Sequence, residues 1–309
     1  MIPLTAHHLN LGLQLALNFR HQARGLGVRE IPLFRALHRS LMLLSNQPGV
    51  AVEEYHGNAH QVRFTGDGIH SRSAARCELS DLAVIVYDRV AGTARLTYIQ
   101  AKSERLVKAS RFGIAGATLS ADLEQWHLLS SRPKIQGVNR FSPPSDLLSN
   151  SSLGSIGSYV FFVHGAKSPE IYYASASKLP VAAIHSVKRG KLLAQANLHG
   201  VLGSVPECYS AYSTVCFGAA LLGMTIGNPL LDKRISPGMR NWLASRLRAM
   251  PLTPSGLSQE LAERLSDEAV RASDPSLGAR TTIVIGLSDL GDSTARAKPA
   301  DVNPPEIKR

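Results

Sequence analysis

The segment ARLTYIQAKSER (94–105) ends an apolar run in Gln100, Ala101 and Lys102, and CELSDLAVIVYD (77–88) opens an equally apolar run with Asp81. Composition predicts strands over 80–88 and 94–102, with Gly92 in the link between them. An antiparallel hairpin whose turn is centred between residues 90 and 91 puts Asp81 opposite Gln100 on one face. Lys102, two residues further on, shares that face. Both runs are apolar on both faces, as in central strands, where idle charges are costly. An acid, an amide and an ammonium meeting there suit metal-dependent hydrolysis of phosphodiesters. Mg²⁺ or Mn²⁺ takes oxygen ligands, and the Asp81 carboxylate, the Gln100 amide oxygen and the Ala101 backbone carbonyl supply three. Such a cation lowers the pKa of a bound water. Lys102 would orient that water and offset charge growing at phosphorus. An amide where a second acid would serve leaves the cation weakly held unless another carboxylate assists. The plain alternative is a pair of solvated strand ends, with an Asp81–Lys102 salt bridge that serves no chemistry.

This pattern resembles the PD-(D/E)xK nuclease superfamily in its QxK variant, found in restriction-endonuclease-like enzymes of bacterial defence. The family places an Asp at the start of one central strand and a (Glu/Asp/Gln)-x-Lys signature on the next, here Asp81, Gln100 and Lys102. The resemblance covers residues 28–165 and rests on short motifs and on the order of elements. It implies an α/β fold: a restriction-endonuclease-like αβββαβ core with a mixed central sheet, followed by a mainly helical C-terminal part. It also implies a Mg²⁺-dependent endonuclease acting on DNA, a candidate effector of anti-phage defence. The alternative it leaves open is a catalytically degenerate nucleic-acid-binding protein, for which Gln100 is the warning sign. The family often adds a Glu from the helix before the sheet. Glu30 is the first choice, with Glu53 or Glu54 behind it. Glu78, three residues before Asp81, reaches the same edge if the strand begins late or carries a bulge.

Other elements frame the hairpin. Apolar spacing predicts helices over 6–23 and 30–45, the second with Leu33, Leu37, Leu41 and Leu44 on one face. VAVEEYH and HQVRF form short β-like runs around Gly57-Asn58, and TGDGIHSRSAAR reads as a basic loop. A helix over 118–130 takes Ser120 as its N-cap. GSYVFFVHG is a buried strand that pairs with EIYYASAS, 178–198 is ambiguous and basic, and the pattern beyond 205 is mainly helical. TTIVIGLSD adds an edge or terminal strand. These elements divide into a nuclease-like domain over 1–200, a mainly helical region over 201–290 and a Pro- and charge-rich tail over 291–309 with the composition of a disordered segment.

Composition narrows the partners. Lys plus Arg number 34 against 23 acids, for a formal charge of +11, which favours a polyanion. Aromatic residues are 6% of the chain, which counts against a reader of stacked RNA bases and puts DNA ahead of RNA. Arg72 and Arg76 in the basic loop (which also holds His60, Arg63 and His70), with Lys108 and Arg111 after the second strand, are the expected phosphate contacts. Three cysteines without C-x-x-C spacing make no disulfide framework or zinc knuckle and fit a reducing cytoplasm. The first residues lack the features of a signal peptide, and 215–231 is short for a membrane span, so no membrane partner is expected. A homodimer or a separate defence-system protein is the expected assembly. No H-E-x-x-H, G-x-S-x-G or P-loop motif occurs, so zinc-protease, serine-hydrolase and P-loop chemistry have no anchor.

Overall fold

A computed structural model describes residues 5–44, 60–88, 91–105, 114–164, 168–186, 188–231, 235–249, 257–266 and 281–286. Expectations for Glu53, Glu54, Lys108, Arg111, the turn at Gly57-Asn58 and the tail lie outside the described residues.

The chain runs α1 (Ala6–Gln22), α2 (Glu30–Leu44), β1 (Gln61–Thr65), β2 (Ala74–Glu78), β3 (Leu82–Asp88), β4 (Thr93–Arg105), β5 (Thr118–Ala121), α3 (Leu123–Ser131) and β6 (Gln136–Gly137). It continues with β7 (Gly157–His164), β8 (Pro169–Ser175), β9 (Val181–Ser186), β10 (Arg189–Leu193), β11 (Leu198–Leu202), β12 (Val205–Tyr212) and α4 (Thr214–Leu222). The last elements are β13 (Asn228–Pro229), α5 (Pro237–Ala249), α6 (Leu257–Leu265) and β14 (Thr281–Gly286).

The fold is α/β around a mixed sheet of eight strands, ordered β11-β12-β8-β7-β4-β3-β14, with β13 on β4. β3 and β4 form an antiparallel hairpin with Leu82 opposite Ile99, the register that sets Asp81 against Gln100. Gly92 allows the tight link because its φ of 61° suits a residue without Cβ. From β4 the chain crosses through α3 to β7, which lies parallel to β4, and β7 then pairs antiparallel with β8. The late strand β14 lies parallel to β3, filling the place beside the hairpin.

Alternation along the hairpin explains why both its faces are apolar. Leu82, Val84, Val86, Ile99 and Ala101 pack in the layer of α1, α2 and α4. Ala83, Ile85, Tyr87, Leu96 and Tyr98 pack in the opposite layer with α3, α5 and α6. Burying each large apolar side chain stabilises by about 1.5–3 kcal/mol, so the sheet is the scaffold that holds everything else. α1 meets α4 closely at Gly12, where a Cβ would stand 2.2 Å from the Val215 carbonyl oxygen. Among the described residues no helix is long and apolar enough to cross a membrane.

Several expectations are corrected. The basic loop contains β2, which pairs antiparallel with β1 in a separate small sheet, β2-β1-β6, so only 66–73 is loop. The helix expected from residue 118 begins at Leu123, because Asp122, not Ser120, caps it, accepting the Glu124 and Gln125 backbone N–H groups at 2.9 and 3.2 Å. Ser120 lies in β5 instead, opposite Lys191 of β10. The region beyond 205 supplies strands β12 and β14 to the main sheet as well as helices α4–α6, and a boundary at 200/201 falls within β11.

Candidate active site at the open end of the hairpin

Asp81 stands one residue before β3, its backbone N–H donating to the Ile99 carbonyl at 3.1 Å. Its side chain is buried with Gln100, at 4% and 2% exposure. Asp81 Oδ2 accepts the Ala101 backbone N–H at 2.9 Å and a side-chain N–H from Gln100. Gln100 Nε2 also lies 3.4 Å from the Ala101 carbonyl oxygen. A strand residue directs its N–H and C=O to the same side, so the Ala101 carbonyl faces the edge that β3 leaves open beyond Leu82. Asp81 and the Ala101 carbonyl therefore face that edge, whereas Gln100 turns its NH₂ toward them and its carbonyl oxygen toward α3.

α3 closes the cluster from above. Gln125, whose N–H is held by the Asp122 cap, donates Nε2 to Gln100 Oε1 at 2.8 Å. The result is a buried chain of polar groups from Gln125 through Gln100 to Asp81. Tyr159, the β7 partner of Gln100, keeps its buried hydroxyl without a hydrogen-bond partner. Burial first, then the charges of Asp122, Cys77 and Asp81, push that phenol well above its ordinary pKa. An orphaned hydroxyl in a buried acidic neighbourhood suits a site that takes up water or a ligand.

Lys102 and Glu30 complete the group. By alternation Lys102 shares the face of Gln100, and among the described residues no strand pairs with β4 on the β3 side beyond Ile99. Its ammonium pairs with Glu30, with Nζ 3.4 Å from Oε1. Glu30 is the first residue of α2, where a carboxylate is favoured by the helix dipole. The start of α2 is fastened to β4 because the Ser103 hydroxyl donates to the Val28 carbonyl at 2.7 Å. Two linked groups thus form at this end of β4: Asp81, Gln100 and Ala101 under α3, and the Lys102–Glu30 pair, whose carboxylate comes from the α2 layer. Glu78 lies in neither: it ends β2, opposite Gln61, and belongs to the small sheet.

The basic side chains divide. Arg72 is committed to Glu124, with Nε 2.6 Å from Oε1 and a second bond of 3.0 Å to Oε2. That bidentate pair and the Arg72 backbone N–H outweigh burial and hold the Glu124 carboxyl below its ordinary pKa. Arg76 is exposed on β2 and donates to the Gln61 side chain. Arg63, Arg72, Arg76 and Lys134 line an open groove of about 700 Å³ on the small sheet. No side-chain hydrogen bond or ion pair joins Arg63 or Lys134 to another described residue.

The chain matches no family model, no curated protein and no solved structure.

Sequence reasoning missed Gln125 and Lys134. Gln125 carries no local signal, because its role depends on α3 crossing over Gln100. Lys134 becomes part of the groove only through β6 pairing with β1.

Proposed function

We propose that the chain is a divalent-metal-dependent nuclease of the PD-(D/E)xK type that cleaves DNA at the open end of the β3–β4 hairpin. The observation that carries this reading is the contact of Asp81 with Gln100 and Ala101 at the end of β4, on the strand that carries Lys102 and its partner Glu30. The donor set fits a hard cation such as Mg²⁺ or Mn²⁺ after one rearrangement. The Gln100 amide, turned by half a rotation, brings its oxygen to Asp81 and its NH₂ to Gln125, whose own amide turns to accept it. The turn keeps the Gln125–Gln100 hydrogen bond with its direction reversed and gives up the bonds from Gln100 to Asp81 and Ala101, leaving oxygens that a cation between them would have to draw together. Asp81, Gln100 and Ala101 would hold the cation, which supplies an activated water and a counter-charge for phosphate. Lys102 is the cation that can stabilise negative charge on the phosphate, and Glu30 holds its ammonium at the open edge. Arg63, Arg76 and Lys134 offer charge for a phosphate backbone on the hairpin that leads directly into Asp81. A role in anti-phage defence, with a homodimer or a separate protein as partner, rests on the family resemblance alone.

One observation favours the second reading, a nucleic-acid-binding protein that does not cut. The Gln125–Gln100–Asp81 chain is internally satisfied without a cation. The deciding experiment incubates supercoiled plasmid with purified protein and Mg²⁺ or Mn²⁺. Nicking or linearisation that disappears with chelator and in Lys102→Ala is the expected result. Salt-sensitive DNA binding without cutting at any metal concentration establishes the second reading instead.

A further inference from the structure

A second cluster lies on the other side of α3's first two turns. We infer that Asp67, His70 and His127 form a binding site for a borderline transition-metal ion, Zn²⁺ or its analogue Co²⁺, that staples the 66–73 loop to α3. Their donor atoms all lie within 4.8 Å of one another. Asp67 Oδ2 is 2.7 Å from His70 Nδ1 and 3.3 Å from His127 Nδ1. Ligands at about 2.0–2.1 Å from a tetrahedral zinc are separated by spacings of this order, so little movement is needed.

The surroundings orient each donor. Asp67 Oδ1 accepts the backbone N–H groups of Ile69, His70 and Ser71 at 2.9, 2.8 and 3.1 Å. That loop turn fixes the carboxylate and aims Oδ2 at the two imidazoles, the outer-shell support that metal carboxylates need. His127 is stacked on Phe64 with ring centroids 6.0 Å apart, and His70 sits edge-on to Trp126 at 5.1 Å. Two imidazoles and one carboxylate select zinc-like ions over Mg²⁺, because Mg²⁺ prefers an all-oxygen shell. With three protein ligands, the fourth position is left for water or a substrate group. The site shares no ligand with the Asp81 cluster, so the inference stands apart from the nuclease reading.

The test uses tag-free full-length protein, stripped with chelator and titrated with Co²⁺ and Zn²⁺. One equivalent of metal per chain, a visible Co²⁺ absorption band and a melting temperature raised by roughly 5 °C are expected. His70→Ala should weaken binding on the order of a hundredfold. His70 lies in a surface loop, so the circular dichroism spectrum of that variant should match the wild type. Asp81→Asn should retain the metal. Failure of the wild type to take up a stoichiometric ion overturns the inference, as does undiminished uptake in His70→Ala combined with Asp67→Asn.

Discussion

Two carboxylates flank α3, and they are handled in opposite ways. Asp81 is buried at the end of a central hairpin and accepts the Gln100 side-chain amide and the Ala101 backbone N–H on β4. Asp67 is exposed on a loop and meets two imidazoles. Gln125 and His127, two residues apart on α3, serve the first cluster through Gln100 and the second directly. The contrast separates what each can hold. Amide and carbonyl oxygens around one acid favour a hard, weakly bound cation, while imidazole nitrogens favour a softer, tightly bound one. A rigid sheet is needed for the first, since Gln100 and Ala101 are positioned by the β4–β7 ladder. The second is assembled from a turn and a helix face.

The sharpest way to separate the clusters is to remove one acid at a time. Asp81→Asn keeps the shape but removes the only charge in the amide chain. Cutting should fall on the order of a hundredfold to a thousandfold, while uptake of Zn²⁺ at Asp67 is unchanged. Loss of both properties together would show that the clusters are one unit and erase the contrast. Gln100→Glu pushes the other way. A second acid beside Asp81 should lower the Mg²⁺ concentration for half-maximal cutting about tenfold, and should destabilise the metal-free protein by about 1–3 kcal/mol through repulsion of like charges. Metal-dependent shifts in the melting curve measure both effects, and an unchanged Mg²⁺ requirement would remove Gln100 from the cation's ligands.

A smaller effect is expected at the lid. Gln125→Leu leaves the Gln100 carbonyl oxygen buried without its donor, which costs about 1–3 kcal/mol of stability. Urea unfolding in chelator reads this directly. A variant as stable as the wild type would mean that Gln100 finds water or another donor there.

How much of this was legible in the sequence follows from what each feature depends on. The hairpin register was readable because a short Gly-containing link forces Asp81 against Gln100 once two apolar runs are paired. α1 and α2 were readable because leucines recur on one face, and β14 because TTIVIG is rich in β-branched residues. The β2 strand AARCE was hidden, since Ala, Arg and Glu are poor strand formers and only pairing with β1 makes them one. β12 was hidden for a related reason: VPECYSAY alternates weakly, and its pairing with β8 and β11 comes from distant chain. Ser120 reads as a cap in sequence because its residue type can cap, and the pairing of β5 with β10 is what moves the helix start on to Asp122. At the candidate active site the strand residues were visible and the helix residue Gln125 was not. Asp67 and His70 have a spacing that sequence shows, but His127 is 57 residues from His70 and joins them only through the placement of α3.

The mildest test compares how the two acids respond to pH. Burial works to raise the Asp67 pKa, but the His70 ring and the backbone N–H groups of His70, Ile69 and Ser71 outweigh it and hold the carboxyl well below its ordinary range. Across the cluster, burial lowers the pKa of His127 against the opposing pull of Asp67. The neighbouring Glu124 is also held low, by Arg72. For each of these groups the unfolded chain binds more protons than the folded one as the pH falls, so each contribution is present above the unfolded pKa and fades below it. His127 contributes first, as the pH drops below about 6.5, and the two acids follow below about 4. In chelator, the urea midpoint should therefore decline in two stages between pH 7 and 3. Asp67→Asn should flatten the acid stage, while His127→Gln should flatten the earlier one. If the profiles of wild type and both variants run parallel, the carboxylate–imidazole contacts contribute nothing to folding. The loop would then be held to α3 by the Arg72–Glu124 pair and by the packing of His70 on Trp126.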